Sequence, residues 1–330
     1  MELLGVVCAI LTPAVLIALL GCLARRYEHI SESGAQGVSR WTLNLFLPAF
    51  VFLAIGRTEL SWNMFFTIAM AAWLVAGIQC LFAWLLGRTF RWVDPITRSG
   101  FLLVVAGINC GNFGLPMNKI AFGDEAAAYA TIYYVAWTLF IQVIGPLIAA
   151  RSSSCSKRKA VAKVAKMPLP YAAIAGILWN YLGLNPFWLT MAGKGLFQGI
   201  NFIGSVAPFT MLFILGTGLY RAGNAGGGSA TVDTAPLGAA VAMRMVAGPI
   251  IAFAITQLFQ MQAITQFFQM QADVARVIIL QSAMPTALQA LMISESAEGT
   301  PRLAHFVRSG IVATTLLSMV SLPLLITLIR

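Results

Sequence analysis

GINCGNFGLPMNKIAFG, residues 107–123, places Gly107, Gly111, Gly114 and Pro116 together with Asn109, Asn112 and Asn118 inside an otherwise apolar span at 98–121. A regular helix does not favour this composition. Proline removes a backbone N–H and crowds the carbonyl one turn back, and each glycine weakens a helix by about 1 kcal/mol relative to alanine. The span is therefore predicted to unwind around 109–116. Backbone groups freed at membrane depth are tolerated only where protein or a water-filled cavity satisfies them, which is how discontinuous helices build transporter binding sites. A half-helix restarting near Pro116 points its positive dipole end at the gap, and the Asn109 and Asn112 amides add donors for a carboxylate. The competing reading is a kinked helix whose asparagines bond neighbouring helices; NCGNFGLP as a unit favours the functional one.

A partner feature lies at LQSAMPTALQALMISE, residues 280–295, with Gln281, Ser282, Pro285, Thr286 and Gln289 in one apolar stretch. Its break is predicted to be milder. Pro285 frees a carbonyl about a turn earlier, and Ser282, Thr286 and Gln289, near i, i+4 and i+7, are expected to share a helical face toward the first break. A proline kink packed by serine and threonine is the alternative.

Outward from these segments, 59% of the 330 residues are hydrophobic and only 10% charged, a composition no water-soluble core explains. Apolar runs near 3–23, 38–56, 62–87, 98–121, 126–149, 168–184, 202–220, 236–259, 274–294 and 303–328 are each read as a span. The fold class is thus an all-α polytopic membrane protein of ten transmembrane helices. The start, MELLGVVCAILTPAVLIALLG, lacks a positively charged leader region and reads as a retained first helix. Arg25, Arg26 and Arg40 follow span 1, Arg88, Arg91 and Arg98 surround the loop after span 3, and 151–167 carries Arg151, Lys157, Arg158, Lys159, Lys163 and Lys166. By the positive-inside bias these loops face the cytoplasm of a cell inner (plasma) membrane and both termini lie outside. That divides the chain into a first five-helix repeat at 1–150, a basic cytoplasmic linker at 151–167 and a second, inverted five-helix repeat at 168–330. The Pro48-to-Gly56 and Pro208-to-Gly216 spacings match, and the offset from Pro116 to Pro285 is close to that pair's. The tandem AITQLFQMQ and AITQFFQMQ within 254–271 reads as a neutral extension at the outer surface, and the run at 224–236 as a flexible cytoplasmic connection.

The exclusions are as informative. A net charge of +10 is spread by loop, so nucleic acid is not an expected partner. All eleven acids lie at or near span ends, which argues against a cation–proton antiporter with buried carboxylates and leaves room for an anionic substrate. Arg244, in VAMRMVAGPI, is the main basic residue inside a span; snorkelling to the interface is the favoured reading and pairing with an anion the other. The five cysteines and two histidines have no metal-ligand spacing, and nucleophile or nucleotide motifs are lacking, so no metal, cofactor or enzymatic activity is expected.

NCGNFGLP, the paired LPAFVF and APFTMLFILG, and SAMPTALQALMISE together resemble the auxin efflux carrier family, in its branch of short-loop bacterial permeases, over nearly the whole chain. The resemblance implies that helices 4 and 9 are broken and cross at mid-membrane. It also implies a scaffold of helices 1, 2, 6 and 7, homodimerisation through that scaffold, and an elevator-like transport unit made of the rest. Substrates would be small carboxylates such as malate, malonate or auxin. The crossover maps onto Asn109 to Pro116 and Ser282 to Thr286. The substrate-binding candidates are Asn109, Gly111, Asn112, Gly114, Pro116, Gln281, Ser282, Pro285, Thr286 and Gln289. A sodium-coupled organic-anion symporter of the bile-acid transporter type and a non-transporting membrane receptor are the alternatives.

Overall fold

A computed structural model describes residues 2–56, 62–89, 94–152, 166–224, 233–260, 270–295 and 301–329. Most of the 151–167 linker, the glycine-rich run and the glutamine repeat lie outside the described residues. Those described form helices α1 (Glu2–Arg26), α2 (Glu32–Trp41), α3 (Leu47–Gly56), α4 (Trp62–Thr89), α5 (Pro95–Ala106), α6 (Leu115–Phe122), α7 (Asp124–Ala150), α8 (Pro168–Tyr181), α9 (Met191–Asn224), α10 (Thr234–Ala242), α11 (Gly248–Gln260), α12 (Ala272–Ser282), α13 (Leu288–Glu295) and α14 (Pro301–Ile329). No strand occurs among them. Among the described residues, seven helical stretches are long and apolar enough to cross a membrane: 32–56, 62–89, 95–122, 124–150, 191–218, 234–260 and 301–329. The expected sixth span is a helix of 14 residues, and the expected ninth is split into α12 and α13. Neither is one continuous helix of the roughly 20 residues a bilayer requires. Large apolar side chains such as Met191, Phe202 and Leu328 point outward, whereas Gln79, Gln142, Arg244 and Gln281 are buried, the polarity suited to a lipid solvent.

Three π turns interrupt these helices: Thr42–Phe46, Cys110–Gly114 and Met243–Ala247. Each ends two residues before a proline, Pro48, Pro116 or Pro249. A proline has no N–H for the carbonyl four residues back and its ring crowds that carbonyl, so the preceding turn widens to the next available donor. Proline is not sufficient, since Pro13, Pro146, Pro208 and Pro323 sit within helices that stay regular.

The chain forms two compact units. One comprises Pro13–Leu60 and Lys163–Gly227. It is assembled by backbone-close helix crossings at glycine, the means by which helices associate where lipid removes a hydrophobic drive. A Cβ on Gly21 of α1 would meet the Phe213 carbonyl of α9, one on Gly216 would meet the Ala18 backbone of α1, and one on Gly204 would lie 2.8 Å from the Phe50 nitrogen of α3. The second α-helical span begins at Glu32, earlier than the sequence suggests, because the Ser31 hydroxyl caps α2 by accepting from the Gly34 N–H at 3.0 Å. Asn180 of α8 donates to the Ile55 carbonyl at 2.8 Å, satisfying a C-terminal group of α3.

The other unit comprises Met1–Thr12, Ser61–Ala162 and Gly228–Arg330. Asp94 opens α5 by accepting from the Ile96 and Thr97 N–H groups at 2.8 and 3.0 Å, ahead of Pro95 in the first turn. Burial raises the Asp94 pKa, but hydrogen bonds from Thr97 and Ile96 and the nearby Arg302 guanidinium outweigh it and hold it below the ordinary carboxylate value. Such a group stabilises the fold above the unfolded-state pKa of about 3.9, and that contribution fades as pH falls through the lower folded value. Asp94→Ala is expected to lower stability by about 1 kcal/mol at neutral pH. In thermal unfolding of the detergent-solubilised protein, the gap from wild type should narrow below about pH 4.

Candidate functional site

The site lies wholly within this second unit, where two helices stop and restart. Helix α5 ends at Ala106, residues 107–109 are non-helical, and the chain resumes through the π turn at Cys110 into α6. Helix α12 ends at Ser282, residues 283–287 are non-helical, and α13 begins at Leu288. The two gaps are joined by backbone: Asn109 N–H donates to the Pro285 carbonyl at 2.8 Å and Ala287 N–H to the Gly107 carbonyl at 3.2 Å. That is the antiparallel arrangement, centred on Ile108 and Thr286.

The first break thus falls at 107–109 rather than through 109–116. The π turn absorbs the effect of Pro116, which then occupies the first turn of α6, where its missing N–H is harmless. The second break is the longer one, not the milder. Pro285 disfavours helical backbone at the residue before it, and the Gln281 carbonyl accepts from Met284 N–H at 3.3 Å instead of from a helical donor. Ser282, Thr286 and Gln289 consequently share no helical face.

The carbonyls freed at the end of α5 are taken by groups from separate elements. Val104 accepts from the Thr286 hydroxyl at 3.0 Å, Val105 from Arg244 Nη1 at 2.9 Å and Ala106 from the Trp137 indole at 3.0 Å. At the end of α12, the Ser282 carbonyl accepts from Arg244 Nη2. Ser282 Oγ donates to the Ile278 carbonyl at 2.7 Å, so the Tyr133 hydroxyl, 2.9 Å away, is the donor to Ser282. Thr286 N–H donates to Thr314 Oγ1 at 3.0 Å. Ser282 and Thr286 are therefore fully buried and committed to holding the breaks.

Glycine permits the close approach. A Cβ on Gly107 would lie 2.9 Å from the Ala290 Cβ, one on Gly111 2.7 Å from the Tyr134 ring, and one on Gly114 would overlap the Gln281 side-chain oxygen. Gln281 donates through Nε2 to the Ala130 carbonyl at 3.2 Å, and its buried oxygen has no partner. Gln289 is also buried, with its Nε2 unpartnered. Asn118 donates to the Gly114 carbonyl at 2.8 Å.

Asn109 and Asn112 differ from all of these. They are half-buried in a stretch, 101–114, whose other residues are buried. Asn109 holds the N-cap position of the restarted helix, where asparagine ordinarily caps, yet makes no side-chain cap bond. Among the described residues neither amide side chain is engaged by protein.

Arg244 is the residue that sequence reasoning placed wrongly. It is fully buried and does not snorkel. The π turn ahead of Pro249 carries it, and Gln79 of α4 accepts from its Nη1 at 3.0 Å. Partners at two helix ends hold the side chain inward more effectively than an interface eight residues away could draw it out. The usable signal was the rule that an intramembrane cation is functional by default, together with a following proline and a polar Gln79 in the middle of a neighbouring span.

The sequence profile of a family described as membrane transport protein matches residues 6–160 and 152–326 of this chain. An uncharacterized transporter of Methanothermobacter thermautotrophicus is 24% identical over 309 residues, covering 93% of each chain.

Proposed function

Since the chain belongs to the membrane transport protein family, that of the auxin efflux carriers, we propose that it is a secondary active transporter of small organic anions, mono- or dicarboxylates, working by elevator-like alternating access. The observation that carries this reading is the pair of uncommitted, half-buried amides, Asn109 and Asn112, at the positive start of a restarted helix. The substrate carboxylate binds there, accepting from these amides and from the opening N–H groups of the helix. The buried carbonyls and hydroxyls of 282–287 shape the site from behind. No Asp or Glu is among the buried residues described, so no buried carboxylate repels an anion.

In this reading the ten spans are two inverted five-helix repeats in the inner (plasma) membrane, with both termini outside and 151–167 cytoplasmic. Apart from residues 3–12 of the first span, the division into Pro13–Leu60 with Lys163–Gly227 and the remainder follows the grouping of helices 1, 2, 6 and 7 against the rest, and supports a scaffold and a transport unit. Homodimerisation through those four helices belongs to the same proposal.

Counterflow in proteoliposomes, with unlabelled mono- and dicarboxylates preloaded one at a time, tests the reading without any driving ion. Saturable exchange of a carboxylate is expected, and Asn112→Ala should reduce it at least tenfold while leaving a folded, monodisperse protein, as loss of a charge-assisted hydrogen bond worth about 1.5–3 kcal/mol implies. Undiminished exchange by that variant would remove the site assignment; absence of exchange by the wild type across the panel would remove the substrate class.

A further inference from the structure

Four half-helix ends meet at the two breaks: the C-termini of α5 and α12, and the N-termini of the helix resuming at Cys110 and of α13. Each C-terminus carries about −0.5 elementary charge and each N-terminus about +0.5, so the bare arrangement has nearly no net charge and no preference for an anion. Arg244 changes that balance. Its guanidinium donates to Val105 at the end of α5 and to Ser282 at the end of α12, touching both negative ends and neither positive one. Its remaining partner is the neutral Gln79, its Nε–H is unpartnered, and among the described residues no carboxylate pairs with it. Guanidinium remains protonated in proteins.

We infer that Arg244 makes the meeting of the two broken helices selective for one carboxylate group, by cancelling the two negative helix ends and leaving the two positive ends to act on the substrate. The inference rests on the carboxylate-transport reading above and deepens it. The arithmetic gives the site about one unit of positive charge, two helix N-termini at about +0.5 each, the complement of a single carboxylate. Arg244 acts at a distance as a specificity-determining residue and need not touch the anion. Gly248, one turn beyond it, keeps the path open: a Cβ there would lie 2.7 Å from the Ser282 carbonyl and 2.9 Å from Arg244 Nη2.

Removing the arginine would remove helix caps together with the charge, so the charge is best cancelled in place. Gln79→Glu sets a carboxylate where the side-chain oxygen now lies 3.0 Å from Nη1. The experiment is counterflow of radiolabelled malonate in proteoliposomes, inhibited by malonate, malonamate or malonamide, which share one backbone and carry two, one and no charges. For the wild type, malonate and malonamate should inhibit within about threefold of each other and malonamide at least thirtyfold more weakly, as expected of a site that holds one charged group. Gln79→Glu should raise the KM for malonate and shrink the preference for acid over amide, each at least tenfold, without loss of thermal stability. A merely structural role would change the amount of active carrier and leave the preference intact, which would overturn the inference. If Gln79→Glu does not fold, Gly248→Ala, which displaces the guanidinium from Ser282, must weaken the same preference; an unchanged preference there also overturns it. Equal inhibition of the wild type by malonamide overturns it directly. Absence of wild-type malonate counterflow instead defeats the carboxylate reading, and this inference with it.

Discussion

Gly216→Val should abolish a monodisperse folded peak in size-exclusion chromatography of the detergent-solubilised protein, whereas Gly199→Val on the same helix should leave it intact. The obstacle to a side chain at 216 is the Ala18 backbone of α1, which cannot rotate aside as a side-chain terminus can. Gly21, on the opposite side of that crossing, meets the Phe213 carbonyl in the same way, so neither helix can yield without surrendering the other contact. Overpacking of a close-packed interior costs about 1–3 kcal/mol where side chains rearrange, and the upper end or more is expected where backbone must move. Gly199 is exposed and a Cβ there meets nothing within 4 Å, so the same substitution should stay within about 0.5 kcal/mol. A folded Gly216→Val protein with wild-type thermal stability would show that α1 and α9 do not cross as described.

Arg244→Met carries the second large effect. It leaves the Val105 and Ser282 carbonyls and the Gln79 side-chain oxygen without their donor inside the protein. Each orphaned acceptor costs about 1–3 kcal/mol, and relief from burying a guanidinium offsets part of the total. A net loss of about 3 kcal/mol follows. Thermal unfolding followed by the tryptophans would read it, with Arg244→Lys intermediate, since one ammonium cannot reproduce a fork that spans two helix ends. Equal stability of Arg244→Met and wild type would mean that the carbonyls find other donors.

Several features of this architecture were legible in the residues. The apolar runs gave the helices, because hydrocarbon demands length and leaves little alternative. NCGNFGLP and SAMPT marked both interruptions, because proline and clustered glycine act on local backbone whatever surrounds them. The severity of each interruption was not legible, since it depends on what receives the freed groups: Thr286 reaching Val104, Trp137 reaching Ala106 and Arg244 reaching two helix ends are contacts between residues 31 to 182 positions apart. The hydroxyls of Ser282 and Thr286 raise the same difficulty. A hydroxyl in an apolar span must bond something, and sequence does not say whether that partner is substrate or protein.

The widened turns before Pro48, Pro116 and Pro249 have a consequence for phase. Each inserts about one residue into its helix, and at 3.6 residues per turn one residue is about 100° of rotation. Arg244 and Ile250 therefore stand on opposite sides of a phase step within what the sequence presents as a single span. The former is buried and the latter is exposed. A helical wheel drawn without that step assigns the wrong neighbours to every residue beyond the proline, which makes the short Pro-containing motif a boundary between two wheels.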